Sequence, residues 1–331
     1  MLPRAAMAHL DRGSAAVIDR FIAKPHVQQG TAVKKLIIAL IVALTATGSA
    51  SAADMPPKAQ VASAASAVPD SAFFAGLGGS YNSADFGTQD FYAVGTSTVF
   101  RNGALVSTGS ATGPGTVQMG SETRFSPSVQ GGYFRKFSGS DWLWGFKVAY
   151  SHLAASSTVR NVLIPQGGSN TTVGGVTTPF TGTAVARSYQ TTIEHQIAFM
   201  PFFGHSFEKS FVYLGAGPTL SRTRTNVNGL VGFANITGVP SDISGAPVDF
   251  TGSGWVYGGA ATVGATYFLS PSWFLDFSYS YAMTAKQTFN YSSPFTNPNG
   301  VNNTTIVGTL VGNTSGRVIT QGVTATLNKA F

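Results

Sequence analysis

The chain has 331 residues, of which only 10% are Asp, Glu, Lys or Arg, against roughly 25% in ordinary soluble domains. The net charge of +7 hints at nucleic acid, but residues 1–52 hold 6 of the 20 basic groups and 2 of the 13 acidic ones. The remainder carries +3 and one basic doublet, Arg135-Lys136, too little for a nucleic-acid footprint, and the absence of cysteine excludes disulfide staples.

Residues 1–32 precede the first recognisable element and read as an over-extended N-terminus, with translation starting near Val33. Residues 33–52, VKKLIIALIVALTATGSASA, have the layout of a secretory signal peptide. Lys34 and Lys35 open it, Leu36–Leu44 is its apolar run, and Ala50-Ser51-Ala52 places the cut between Ala52 and Ala53. The run is too short for a spanning helix, which needs about 20 apolar residues. Residues 53–70 are rich in Ala, Pro and Ser and read as a flexible periplasmic leader before a domain over residues 71–331.

That domain lacks sustained helical periodicity. Eight segments alternate instead: Ala72–Phe86, Glu122–Phe137, Trp142–Leu153, Arg187–Phe203, Ser210–Arg224, Gly252–Phe268, Trp273–Met283 and Arg317–Phe331. Successive side chains of a strand point to opposite faces, so each segment has two distinct sides. WLWGFKVAYSHL, residues 142–153, puts Trp142, Trp144, Phe146, Val148 and Tyr150 on one side and Leu143, Gly145, Lys147, Ala149 and Ser151 on the other. The connections alternate strictly. Ser138–Asp141, Gly204–Lys209 and Leu269–Ser272 are short, whereas Gly87–Ser121, Ala154–Ala186, Thr225–Thr251 and Thr284–Gly316 are long. Four structureless loops of about 30 residues count against a compact soluble domain. Short turns at one end and long loops at the other are the layout of outer-membrane barrels. The expected fold is all-β: an eight-stranded antiparallel up-and-down transmembrane β-barrel with four long extracellular loops.

On this reading the apolar side faces outward. It carries Phe73, Leu77 and Tyr81; Phe125, Val129 and Tyr133; Tyr189, Ile193, Ile197 and Phe199; Val212, Leu214 and Leu220; Trp255, Tyr257 and Val263; Leu275, Phe277, Tyr279 and Tyr281; and Ile319, Val323, Leu327 and Phe331. Aromatic girdles are expected at both ends, with Phe203, Phe211, Tyr267 and Trp273 near the short turns and Tyr150, Tyr189 and Trp255 near the long loops. The inward side is small or polar, with Gly76, Gly78, Ser80, Ser126, Ser128, Gln130, Ser188, Gln190, Thr192, Thr262, Ser278, Thr320 and Thr326. Six charges fall there too: Glu122, Arg124, Lys136, Lys147, Glu194 and Asp276. A buried charge must be paired, so ion pairs are predicted linking Lys147 and Arg124 with Glu194, Glu122 or Asp276. They serve either as a plug or as a gate for small solutes.

Some residues fit poorly. His195 lies on the outward side near mid-strand, where a bulge is one way out. Pro127, Pro201 and Pro218 each remove a ladder hydrogen bond, which makes bulges expected there as well. No G-x-S-x-G, H-E-x-x-H, phosphate loop or Cys/His cluster is present. No enzyme, cofactor or metal site is therefore predicted. The weak exception is His152 beside Ser151 and Ser156, which imitates part of a lipid hydrolase but lacks a nearby acid.

Signal peptide, Pro/Ala-rich leader AADMPPKA, eight alternating segments and terminal Phe331 together resemble the small outer-membrane β-barrel family of Gram-negative bacteria. This is the group of OmpA-like barrel domains, including the alphaproteobacterial surface-antigen and porin-family members. The resemblance covers residues 53–331 and departs in the long loops, which leaves additional external strands or a ten-stranded barrel open. It implies a structural, surface-interaction or adhesion role without catalysis, or alternatively a small-solute channel. Val323, Leu327 and Phe331 look like the C-terminal signal read by the outer-membrane assembly machinery. The implied partners are outer-membrane lipid and lipopolysaccharide, that machinery, and host or cell-surface ligands.

Overall fold

A computed structural model describes residues 67–235, 238, 240–299 and 303–331. The over-extended N-terminus, the signal peptide with its cut, and residues 53–66 of the leader lie outside the described residues. Among the described residues thirteen strands run in chain order: β1 Ser71–Asp85, β2 Thr88–Arg101, β3 Ala104–Gln118, β4 Ser121–Lys136, β5 Trp142–Thr172, β6 Thr177–Ser206, β7 Ser210–Asn235, β8 Pro240–Asp242, β9 Val248–Ser270, β10 Trp273–Thr284, β11 Gln287–Asn299, β12 Thr304–Gly316 and β13 Ile319–Ala330. Every pairing is antiparallel, and eight strands close a ring in the order β1-β4-β5-β6-β7-β9-β10-β13. These are the eight alternating segments read from the sequence. β1 meets β13 with Leu77 opposite Leu327 and Tyr81 opposite Val323, so first and last strands seal the ring.

The four long connections are built of strands rather than structureless loops, the alternative of additional external strands. The first and fourth long connections are the hairpins β2–β3 and β11–β12, and the second and third are continuations of β5, β6, β7 and β9 with the short β8. β11, β12, β2 and β3 pair in that order, and Ser107–Thr112 of β3 joins the upper part of β5. The physical cause is alternation in Thr, Val and Gly, which pleats like the ring strands but with a weaker polarity contrast. β2 turns into β3 at Asn102-Gly103, whose φ angles of 51° and 79° are the two positive values a type I′ hairpin needs.

The extension has its own core. Phe86, Phe91, Val117, Leu153, Ile164, Tyr189, Ile193, Leu230 and Phe295 are all buried in one cluster above the ring. Between the upper half of β9 and β11, no backbone ladder forms among the described residues; the last backbone bond there is Ala285 N–H to Tyr257 O at 2.7 Å. Side chains close that seam. Phe250 packs on Tyr291 with ring centroids 4.2 Å apart, and Phe289 lies so close over Gly252 that a Cβ there would overlap its ring.

Bulges decide which side of a strand faces in. In β6 the ladder to β7 shifts between Ile193 and His195, leaving Glu194 as the extra residue. The β5–β6 ladder shifts between His152 and Ala155, with Ala154 at φ 47°. One extra residue exchanges the faces taken by the side chains on its two sides. Tyr189 and Ile193, expected outside, are fully buried inside. Ser188, Gln190, Thr192 and Glu194, expected inside, stand on the outer face beside Arg224 and Arg222. The prolines make no bulges. Pro201 and Pro218 fall in one shared gap in the β6–β7 ladder, between Ala198–Thr219 and Phe202–Gly215, with the register unchanged across it. Pro127 sits opposite Gly79, one residue beyond the end of the β4–β5 ladder.

Candidate functional site: the filled interior of the ring

Below the bulges the predicted phases hold. Leu77, Phe125 and Tyr257 are 70%, 73% and 77% exposed, and each ring strand adds large apolar side chains to the same outer band. Phe331 lies in that band, its N–H bonded to Phe73 O at 2.8 Å. Val323 and Leu327 of the same strand are also exposed.

The interior is layered. At the short-turn end it is aromatic rather than polar, which corrects the expectation of a uniformly small or polar inner side. Phe74, Phe134, Phe202, Phe211, Phe268 and Phe274 form a buried cluster with Leu143 and Tyr213. Phe211, assigned to a girdle from sequence, belongs to this inner layer. Ring centroids of Phe268 and Phe274 lie 4.8 Å apart, and those of Phe134 and Phe211 5.2 Å apart. Val68 of the leader is buried in the same cluster, and Lys136 Nζ donates to its carbonyl at 3.0 Å.

Directly above is a polar clasp. Lys147 Nζ lies 3.3 Å from Asp276 Oδ2, and both side chains are about 95% buried (5% and 4% exposed). Lys147 Nζ also donates to the Tyr213 hydroxyl at 2.6 Å, and that hydroxyl donates to Asp276 Oδ1 at 2.8 Å. Gln130 Nε2 donates to Asp276 Oδ2 at 2.8 Å and lies 2.8 Å from Thr326 Oγ1 and 3.0 Å from Asn328 Oδ1. Asp276 thus has three donors from three other strands. This dense hydrogen bonding is the condition under which a buried ion pair is tolerated. Next comes a layer of small hydroxyls, Ser80, Ser126, Ser128, Thr219, Ser221, Thr262 and Ser278, and above them the apolar core of the extension.

Only one predicted ion pair spans the interior. Lys147 meets Asp276, but Arg124 pairs with Glu122 on its own strand at 2.7 Å, half exposed at the upper rim. Glu122 also accepts the Ser156 N–H. Lys136 sits at the opposite end, 3.9 Å from Asp70. Glu194 leaves the interior altogether through its bulge and pairs with Arg222 at 3.3 Å and Arg224 at 3.7 Å. The six charges therefore do not form one network. Sequence reasoning missed Tyr213 and Gln130 as partners of the clasp; both lie on the inward phase of their strands, and that phase was the available signal. His152 and Ser151 point to opposite faces: Ser151 Oγ reaches Ser128 Oγ at 3.4 Å inside, whereas His152 contacts His195 outside.

In the extension, Ala93, Ala111, Ala184, Leu230, Phe295 and Leu310 line a cavity of about 40 Å³. Burial pushes the Tyr291 hydroxyl at its edge well above its usual pKa, and this group donates to Tyr92 O at 2.9 Å.

No family model matches the sequence, and neither does any curated protein. Among solved structures, the chain is similar to Neisserial surface protein A at 13% identity and a TM-score of 0.27, covering 75% of this chain and 99% of that one. It is similar to the outer membrane protein OprG from Pseudomonas aeruginosa at 9% identity and a TM-score of 0.31, covering 80% and 98%. The outer membrane protease OmpT from Escherichia coli follows at 11% identity and a TM-score of 0.30, covering 79% and 96%. Likeness at this level transfers neither a substrate nor a role.

Proposed function

We propose that this chain is an outer-membrane β-barrel protein of the OmpA-like kind, with a structural and surface-interaction role and no catalysis. The observation that carries the reading is the inversion of the ring: large apolar side chains on the outside of all eight strands, and a filled, hydrogen-bonded interior. A water-soluble molecule does not present an apolar belt of this size to solvent, whereas a lipid-facing band flanked by aromatic residues is what a barrel wall requires. The ring spans the hydrocarbon, the short turns lie in the periplasm, and the β2–β3, β5–β6, β7–β9 and β11–β12 extensions stand outside the cell. Their Thr-, Asn- and Gly-rich outer faces meet host or cell-surface ligands. Phe331 serves as the signal for the assembly machinery.

An eight-stranded ring leaves room only for side chains, and here two layers fill it in series, the phenylalanine cluster and the Lys147–Asp276 clasp. A small-solute channel would need both to move. Planar-bilayer recordings of the refolded protein test this directly: the expected result is no steady conductance. Sustained unitary currents in the wild type would favour the channel instead. Recovery of the mature protein in a detergent-free soluble fraction would sink the membrane reading itself.

A further inference from the structure

The outward-facing histidine that fits the strand pattern poorly belongs to a built surface. His195 follows the bulge residue Glu194 and lies opposite His152, with the two Nδ1 atoms 3.1 Å apart. The Tyr150 hydroxyl lies 3.0 Å from His195 Nδ1, and the His195 ring stacks toward Trp255 at 6.5 Å. On the next strand the Arg222 guanidinium lies 6.0 Å from the centre of the Trp255 ring. The Glu194 carboxylate meets Arg222 and Arg224 through Nε of each, at 3.3 and 3.7 Å. The Arg222 and Arg224 side chains are 35% and 45% exposed, so both guanidinium groups reach the outer surface. Two cations on one carboxylate leave a net positive charge, held beside aromatic rings on the outer face of the barrel.

Glu194 is what makes the arrangement possible. Its bulge turns the carboxylate out of the barrel, and its two oxygens lie at ion-pair distance from both arginines, which keeps the two guanidinium groups side by side. A guanidinium fork matches phosphate oxygens in a two-point contact, unlike an ammonium. Tryptophan and histidine, with an apolar body and a polar tip, suit a boundary between hydrocarbon and water. We propose that Arg222 and Arg224, tethered by Glu194 beside Trp255 and the His152–His195 pair, bind the phosphate headgroup of a lipid in the leaflet surrounding the long-strand end of the barrel. This inference deepens the membrane reading and rests on it.

The test offers the folded protein in neutral detergent equal amounts of phosphatidic acid and phosphatidylcholine and counts the bound lipids by native mass spectrometry. Insertion into phosphatidylcholine vesicles is scored in parallel by heat-modifiable gel mobility. The wild type is expected to retain phosphatidic acid over phosphatidylcholine by about tenfold, and the Arg222→Gln/Arg224→Gln variant to show near parity while inserting as well as the wild type. The Arg222→Lys/Arg224→Lys variant, which keeps the charge but loses the fork, should fall between them and covers the case in which the glutamine variant does not fold. A wild type that inserts but shows no preference, or a preference that survives in the glutamine variant, overturns the proposal and leaves the membrane reading standing. Loss of the preference on adding inorganic phosphate equimolar with the lipid would assign the site to a free anion and overturn the lipid assignment. Failure of the wild type to insert would remove the membrane reading and this inference together.

Discussion

Replacing Lys147 with methionine keeps most of the side-chain volume and removes its charge. Asp276 is then left about 96% buried (4% exposed) without its cation, though still accepting from Tyr213 and Gln130. Breaking a buried ion pair by removing one partner typically costs about 3–5 kcal/mol, because the other charge remains desolvated. The two surviving donors stabilise the carboxylate by roughly 1.5 kcal/mol or more each, which argues for the lower end, about 3 kcal/mol. Removing both charges as Lys147→Met/Asp276→Leu should recover most of that loss, since an apolar pair of similar volume is often neutral. The assay is reversible urea unfolding of the protein in micelles, followed by tryptophan fluorescence. A cost below about 1 kcal/mol for Lys147→Met would refute the clasp as a buried, water-excluded pair. A double variant no more stable than the single one would refute the argument that the cost lies in the stranded carboxylate.

Three further outcomes follow from the same geometry. Phe134→Ala removes a fully buried ring from the inner aromatic layer and should cost about 3–5 kcal/mol in the same titration, yet leave bilayers silent because the clasp remains closed. Gly103→Ala places a Cβ where φ is 79° and should loosen the β2–β3 hairpin by about 1 kcal/mol, read as faster hydrogen exchange confined to residues 88–118; unchanged exchange would contradict the type I′ assignment. Deleting Glu194 removes the bulge and turns Tyr189 and Ile193 outward, so the apolar core of the extension should open. Limited proteolysis should then cut the extension while the ring stays protected, and a cutting pattern like the wild type's would refute the phase flip.

The ring is legible in the sequence. Eight segments with a period of two, a strict short-and-long order of connections and a steep contrast such as Trp144 against Gly145 suffice, because a closed sheet with one apolar side has one consistent phase per strand. The same periodicity puts Lys147 and Asp276 on the inner side of their strands. Tertiary structure alone decided the rest. Long segments of Thr, Gly and Asn carry little contrast between faces, so β2, β3, β11 and β12 looked like loops, although Asn102-Gly103 between Val99 and Leu105 was a legible hairpin signal. Bulges are set by how neighbouring ladders must fit, and one extra residue at Glu194 exchanged the inside and outside of the upper half of β6. Partners in the interior come from four different strands, Gln130 on β4, Lys147 on β5, Tyr213 on β7 and Asp276 on β10. Periodicity fixes the side a residue faces but not its height in the barrel, and height, set by strand stagger, is what brings those four into contact.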